Sequence, residues 1–180
     1  MTAPGANLQL SSLSWCSSPV GPLILGATRD AVCRLEFADD DRLEARMTDL
    51  RRRYAVSPDS NSSALLERLR TQLAEYFAGA RRQFDLPLVY AGSGFQREVW
   101  AALSRIPYGQ TCSYLDVARR LGDPLATRAV GAANGMNPIA IVIPCHRVVN
   151  ADGKLGGYGG GLWRKRILLD LELGQGTLSL

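Results

Sequence analysis

A run of small residues near the middle of the chain, Val89-Tyr90-Ala91-Gly92-Ser93-Gly94, limits the possible folds more than any other feature. Such residues bury little apolar surface and leave the backbone free, so they punctuate a fold rather than build one. The run divides the 180 residues into spans 1–91 and 92–180. Each is long enough for one small hydrophobic core. Hydrophobic residues make up 46% of the chain, as expected of an ordinary soluble globular protein.

The first span reads as a small α+β unit. The stretch from Trp15 to Ala27 and then Ala31 to Phe37 predict a β-hairpin, with Thr28-Arg29-Asp30 between the strands and Pro19, Gly21 and Pro22 before the first. Asp39-Asp40-Asp41 is expected to cap a helix running through Arg53. Leu65, Leu66, Leu69, Leu73, Tyr76 and Phe77 recur at helical spacing between Ser63 and Ala78, and Gly79 ends that helix. This stripe is core packing.

The second span reads as mainly helical. Phe95, Val99, Trp100 and Leu103 form one buried face of a helix that ends near Ile106, before the break Pro107-Tyr108-Gly109-Gln110. Ser113 is a suitable N-cap for a short helix to Leu121. Gly122-Asp123-Pro124 turns the chain into a helix from Ala126 to about Ala133, which is helix-turn-helix spacing. Ala126, Ala129, Gly131, Ala132 and Ala133 leave the second helix nearly bare, with Arg128 its one long side chain. A slim helix can enter a narrow groove or pack tightly on a neighbour, whereas a major-groove reader carries several long polar side chains. The glycine-dense Gly156–Gly161 lacks the features of a nucleotide-binding loop, so its glycines are expected to bring backbone N–H groups to a ligand. A helix from Trp163 to Leu173 follows, with Arg164-Lys165-Arg166 in its first turn, read as serving solubility or phosphate contact.

Lys and Arg balance Asp and Glu at eleven each over residues 1–93, then exceed them ten to six over residues 94–180. The net charge of +4 therefore sits in the second span, a modest pointer to nucleic acid. Cys16, Cys33, Cys112 and Cys145 show no CxxC spacing, and one histidine is too few for a zinc constellation, so no metal is expected. No apolar run is long enough to span a bilayer, and Met1–Asn7 lacks the pattern of a signal peptide. A cytoplasmic protein with no membrane association is the expectation.

The chain's only histidine lies beside a cysteine in Ile143-Pro144-Cys145-His146-Arg147-Val148. Adjacent residues of a strand face opposite ways, so this pair shares a pocket only if the chain turns there. The wider segment from Asn137 to Val149 resembles the active-site signature of the O6-alkylguanine-DNA alkyltransferases. Ser18-Pro19-Val20-Gly21-Pro22-Leu23, the segment Gln72–Gly79 and the stretch Phe95–Glu172 extend the likeness over nearly the whole chain, in the manner of the constitutive bacterial branch.

The resemblance implies an α+β fold, with a ribonuclease H-like α/β domain in 1–91 and a DNA-binding, alkyl-transfer domain with a helix-turn-helix in 92–180. It implies that Cys145 accepts the alkyl group irreversibly, once per molecule, with His146 acting through a bridging water, Glu172 fixing the imidazole and Asn137 orienting the turn. A free thiol is only slightly ionised at neutral pH, which is why a base within relay distance is required. The target base must leave the duplex to be reached. Arg128 would fill the vacated stack, while Tyr114 would turn the phosphate and protonate the departing guanine. Ser113, Ala126, Thr127, Ala129 and Gly131 would lie along the minor groove, and Val148, Tyr158, Gly159 and Gly160 would line the base pocket. The implied partner is duplex DNA carrying O6-alkylguanine, with O4-alkylthymine a second substrate, and the protein acts as a monomer without a cofactor.

Two positions depart from some members of the family. Gly159 stands where they have serine and Ala140 where they have proline, so weaker capture of benzylated free guanines is expected. The competing reading is a non-catalytic binder of alkylated DNA, resembling the alkyltransferase-like proteins. Those lack the acceptor cysteine. A helix-turn-helix regulator fits less well, for want of long side chains on the second helix.

Overall fold

The computed structural model describes residues 8–57, 60 and 63–174. The segment Met1–Asn7, read above for targeting signals, lies outside them, as do residues 175–180 at the end of the second span. The chain forms two compact units that meet between Ala91 and Gly92.

The first unit is built on an antiparallel meander of β1 (Ser12–Cys16), β2 (Leu23–Ala27) and β3 (Val32–Phe37). β2 is central and buried at every position. The expected hairpin is the β2–β3 pair, closed by Thr28 N–H donating to the Ala31 carbonyl at 2.9 Å. β1 is an addition: Ser12-Leu13-Ser14-Trp15-Cys16 is too short and polar to stand out as a strand, yet it pairs with all of β2. A single 3₁₀ turn, Asp40–Arg42, leads into α1 (Leu43–Tyr54). The expected aspartate cap is not formed, since neither Asp39 nor Arg42 makes a side-chain cap bond; the acidic turn faces solvent.

α2 (Ala64–Phe77) starts where the Ser63 hydroxyl accepts from Leu66 N–H, and it lays Leu66, Leu69, Leu73 and Tyr76 into the core. Each such side chain contributes about 1.5–3 kcal/mol by leaving water. Gln72, buried in the same face, pairs through both ends of its amide with the backbone of Asp85.

The second unit opens with α3 (Gly94–Leu103), started by a capping box between Ser93 and Gln96. Then come β4 (Cys112–Ser113), α4 (Tyr114–Arg120), a 3₁₀ turn Pro124–Ala126 and α5 (Thr127–Gly135). Gly122, at φ +85°, makes the corner between α4 and α5, as a left-handed turn requires. Trp100 of α3 is buried and donates its Nε1–H to the Ala133 carbonyl of α5 at 2.9 Å. Beyond a 3₁₀ turn Cys145–Arg147 lie β5 (Val148–Val149) and α6 (Leu162–Glu172). The unit is mainly helical, as expected, with one short sheet added. β4 and β5 pair in parallel, Cys112 with Val148 and Ser113 with Val149, and two residues per strand leave no periodicity to read. This short pairing sets the first residue of α4 beside the segment that carries Cys145.

Candidate active site

Between Asn137 and Val149 the chain folds back on itself in three successive tight turns. Asn137 anchors the first: its Oδ1 accepts from Ile139 N–H at 3.0 Å and its Nδ2 donates to the Ile143 carbonyl at 2.7 Å. Inside that span Ile141 sits at φ +68°, with Val142 N–H donating to the Ala140 carbonyl at 2.7 Å. A β-branched residue in that region is strained, and the bond from i+2 to i marks a γ-turn of the rare positive-φ kind. An inverse γ-turn about Pro144 follows (φ −82°, ψ 63°), closed by Cys145 N–H on the Ile143 carbonyl at 2.8 Å. The third is the 3₁₀ turn Cys145–Arg147. In a 3₁₀ helix neighbours project about a third of a turn apart instead of on opposite faces. Cys145 and His146 are consequently both buried, at 4% and 0% exposure.

Glu172, near the end of α6, is the hub of a buried ion cluster. Its Oε1 lies 2.9 Å from His146 Nε2. Arg147 grips the same carboxylate twice, Nε to Oε2 and Nη2 to Oε1, both at 2.8 Å. The Gly109 N–H adds a fourth contact at 3.1 Å, and Arg147 Nη1 donates to the Ile106 carbonyl at 2.6 Å. Burial alone would raise the Glu172 carboxyl, but the hydrogen bonds and charges of His146 and Arg147 prevail and hold it down at about 2. An ionised carboxylate only accepts, so His146 carries its proton on Nε2 and offers a lone pair at Nδ1. That Nδ1 is buried without a hydrogen-bond partner. Burial also lowers the His146 pKa, against the pull of Glu172, so the resting ring is neutral.

Cys145 Sγ lies 3.9 Å from the hydroxyl of Tyr158, in the glycine-dense loop. Burial raises the thiol, while Asn137, Tyr158, the charge of Lys165 and the thiol's own backbone pull the other way. Lys165 is fully buried on α6, its ammonium donating to the Val148 carbonyl at 2.7 Å and the Gly156 carbonyl at 3.3 Å. The first turn of α6 is therefore not the solvated basic cluster expected. Arg164 is buried too, bonded to the Gly160 carbonyl and stacked on Trp163, and only Arg166 is exposed.

Tyr114, first in α4, is half-buried, with its hydroxyl donating to the Gly157 carbonyl at 3.2 Å. Its ring lies beside Gly131 of α5. Ser113 caps α4 through Asp116 N–H, and the Asp116 carboxylate returns a bond to Ser113 N–H. Arg128 and Ala129 are exposed on α5, with Ala126 and Thr127 half-buried at its start. Gly159 is exposed, while Val148 is buried with its carbonyl taken up by Lys165. The turn segment, α6 and the loop thus bring Cys145, His146, Glu172, Asn137, Val148 and Tyr158 together. Tyr114 joins them through the loop, and among the described residues no bond to this group is seen for Ala126 of the 3₁₀ turn or for Thr127, Arg128 and Ala129 of α5.

Comparison with known protein families gives two matches. The 6-O-methylguanine DNA methyltransferase ribonuclease-like domain matches residues 13–90, and the DNA binding domain of the same family matches residues 94–174. The chain belongs to this family. Among its members, the methylated-DNA–protein-cysteine methyltransferase of Mycobacterium tuberculosis is 45% identical over 163 residues, 91% of this chain and 93% of that protein. The constitutive enzyme of that name from Bacillus subtilis is 40% identical over 156 residues, covering 86% and 91% of the two chains. The crystal structure of Mycobacterium tuberculosis OGT in complex with DNA superposes with a TM-score of 0.77 at 41% identity, over 91% of this chain and 94% of that one. The ribonuclease-like and DNA-binding pairing expected from the resemblance is thereby established.

Two residues of this methyltransferase-family site were not found from the sequence, Arg147 and Lys165. Arg147 follows the Cys-His pair directly, and the carboxylate partner expected for His146 gave the one available hint of a further cation there. Lys165 sits in a basic triplet, which reads as a solvated face. Among the described residues no group of three or more His, Cys, Asp or Glu side chains could hold a metal ion, and no helix is long and apolar enough to cross a membrane.

Proposed function

We propose that the protein repairs DNA by direct reversal, as a methylated-DNA–protein-cysteine methyltransferase that acts once. One observation carries the reading: the buried His146 ring meets the Glu172 carboxylate through Nε2 and leaves a buried Nδ1 without a hydrogen-bond partner, in the residue next to a buried cysteine. Nδ1 takes the Cys145 proton through a bridging water. Sulfur attacks the alkyl carbon, an S–C bond forms, the C–O6 bond breaks, and its electron pair passes to guanine. Tyr114 protonates the departing base. Thioethers are poor leaving groups, so the transfer is final.

The substrate is O6-alkylguanine in duplex DNA, with O4-alkylthymine handled in the same way. α5 supports a minor-groove approach because its exposed face, Arg128 and Ala129, is slim, and Arg128 fills the gap left by the flipped base. Asn137 holds the turn, and Val148, Tyr158, Gly159 and Gly160 line the pocket. The Val148 carbonyl retains one lone pair for the base edge. A monomer suffices, since every residue of the relay comes from one unit.

Intact mass spectrometry tests this directly. Incubated with an oligonucleotide bearing O6-methylguanine, the wild type gains one methyl group and Cys145→Ala gains none. Tight binding without a mass change would instead support the non-catalytic reading.

A further inference from the structure

Charge inside the second unit does not balance. Glu172 is matched by Arg147, and His146 rests neutral. Lys165 has no carboxylate within ion-pair reach among the described residues, although it is 0% exposed. Its donors instead meet two backbone carbonyls, Val148 on the strand after Cys145 and Gly156 in the glycine loop. The ammonium stands 5.8 Å from the centre of the Tyr158 ring, whose hydroxyl contacts Cys145 Sγ, and 5.8 Å from that of Tyr114. A buried cation without an anion is costly, so folds rarely keep one without a chemical reason.

We infer that Lys165 is a positioning residue for the thiolate: its fixed ammonium is the counter-charge for the anion that Cys145 becomes when it attacks. This rests on Cys145 being the acceptor and adds a cation to the relay. His146 removes the proton, and Lys165 exchanges none. It stabilises the charge left on sulfur, as a preorganised dipole or ion does best where water is excluded. The other charged or titratable groups facing the cluster are Tyr114 on α4, Tyr158 in the loop, His146 and Arg147 on the 3₁₀ turn and Glu172 on α6. None of them supplies a cation uncommitted to a carboxylate. The two carbonyl bonds also tie β5 to the loop, so a purely structural role for Lys165 predicts a different outcome from an electrostatic one.

The test is the pH dependence of Cys145 carbamidomethylation by iodoacetamide, followed on the Cys145 peptide by mass spectrometry, together with single-turnover methyl transfer. In Lys165→Met the midpoint for carbamidomethylation moves to higher pH. Methyl transfer at pH 7 falls tenfold or more and recovers as the pH rises. An unchanged midpoint, or a rate lowered by the same factor at every pH, overturns the inference. Should Lys165→Met not fold, the wild type gives the answer: the ¹⁵Nζ resonance of Lys165 shifts through the Cys145 midpoint and stays still in Cys145→Ser. A resonance that does not follow Cys145 overturns it equally. If the wild type itself takes up no methyl group, it is the proposed function that has failed.

Discussion

A single methyl group at position 156 measures how closely the pocket is built. A Cβ on Gly156 would lie 2.7 Å from Tyr114 Cε2 and 2.9 Å from both the Tyr114 hydroxyl and Asn150 Oδ1. The Tyr114 ring is backed by Gly131 and tied through its hydroxyl to Gly157, so it has little room to yield. Gly156→Ala is expected to displace Tyr114 and lower single-turnover methyl transfer by on the order of 10²-fold, the usual cost of a misplaced reacting group. Position 159 is the opposite case. A Cβ there meets only the Gly135 carbonyl, at 3.4 Å. Gly159→Ser should change stability by no more than about 0.5 kcal/mol in a urea titration. If Gly159 lines the base pocket as proposed, the added hydroxyl should also raise the rate of inactivation by O6-benzylguanine. At this scale the reacting pair was legible because cysteine and histidine are scarce and carry a signature. Glu172 was legible only through the family, since a carboxylate near a helix end is ordinarily exposed. Lys165 was hidden because burial is a property of the fold and cannot be seen in a run of three basic residues.

Elements hold the site in place through their ends. The capping box at Ser113 and Asp116 starts α4 and so fixes Tyr114, the residue that follows the cap. Ser113→Ala should cost about 1 kcal/mol in chemical denaturation, as lost N-caps do, and should slow transfer by loosening Tyr114. The end of α6 is joined to the 3₁₀ turn and to the 106–109 bend by the contacts of Glu172 with His146, Arg147 and Gly109. Its carboxyl is held down to about 2 from an ordinary 4.5, so it adds stability above pH 4.5 that is lost as the pH falls toward 2. His146 contributes with the same sign from higher pH. The unfolded chain binds a proton below about 6.5 that the buried ring resists. Glu172→Ala, which strands the Arg147 charge, should cost about 3–5 kcal/mol at neutral pH and flatten the acid limb below pH 4.5 in thermal melts. Helices were legible through their serine caps and apolar spacing. β1, β4 and β5 were not, because β1 is largely polar and β4 and β5, with two residues each, draw their stability from partners distant in sequence.

For the whole molecule, recognition and chemistry rest on different physics. Duplex DNA is a dense polyanion, and proteins reach it largely by releasing condensed counterions. The net positive charge lies entirely in the second span, where Arg119, Arg120, Arg128 and Arg166 are exposed. The transfer site, by contrast, is closed to solvent, with Cys145, His146 and Glu172 all buried. Ions in solution therefore screen the approach to DNA but not the relay, because screening acts on exposed charges and spares buried ones. Raising salt from 50 to 200 mM should weaken binding to O6-methylguanine duplexes by more than tenfold, given even a few phosphate contacts. The rate of alkyl transfer from free O6-methylguanine should stay within about twofold over the same range, since screening reaches exposed charges alone. Binding is followed by fluorescence anisotropy and transfer by intact mass. Arg128→Ala should weaken binding to damaged duplex while leaving reaction with the free base untouched, because its side chain stands on the exposed face of α5, away from the relay. A free-base reaction as salt-sensitive as the duplex reaction would mean that the thiol is open to solvent ions.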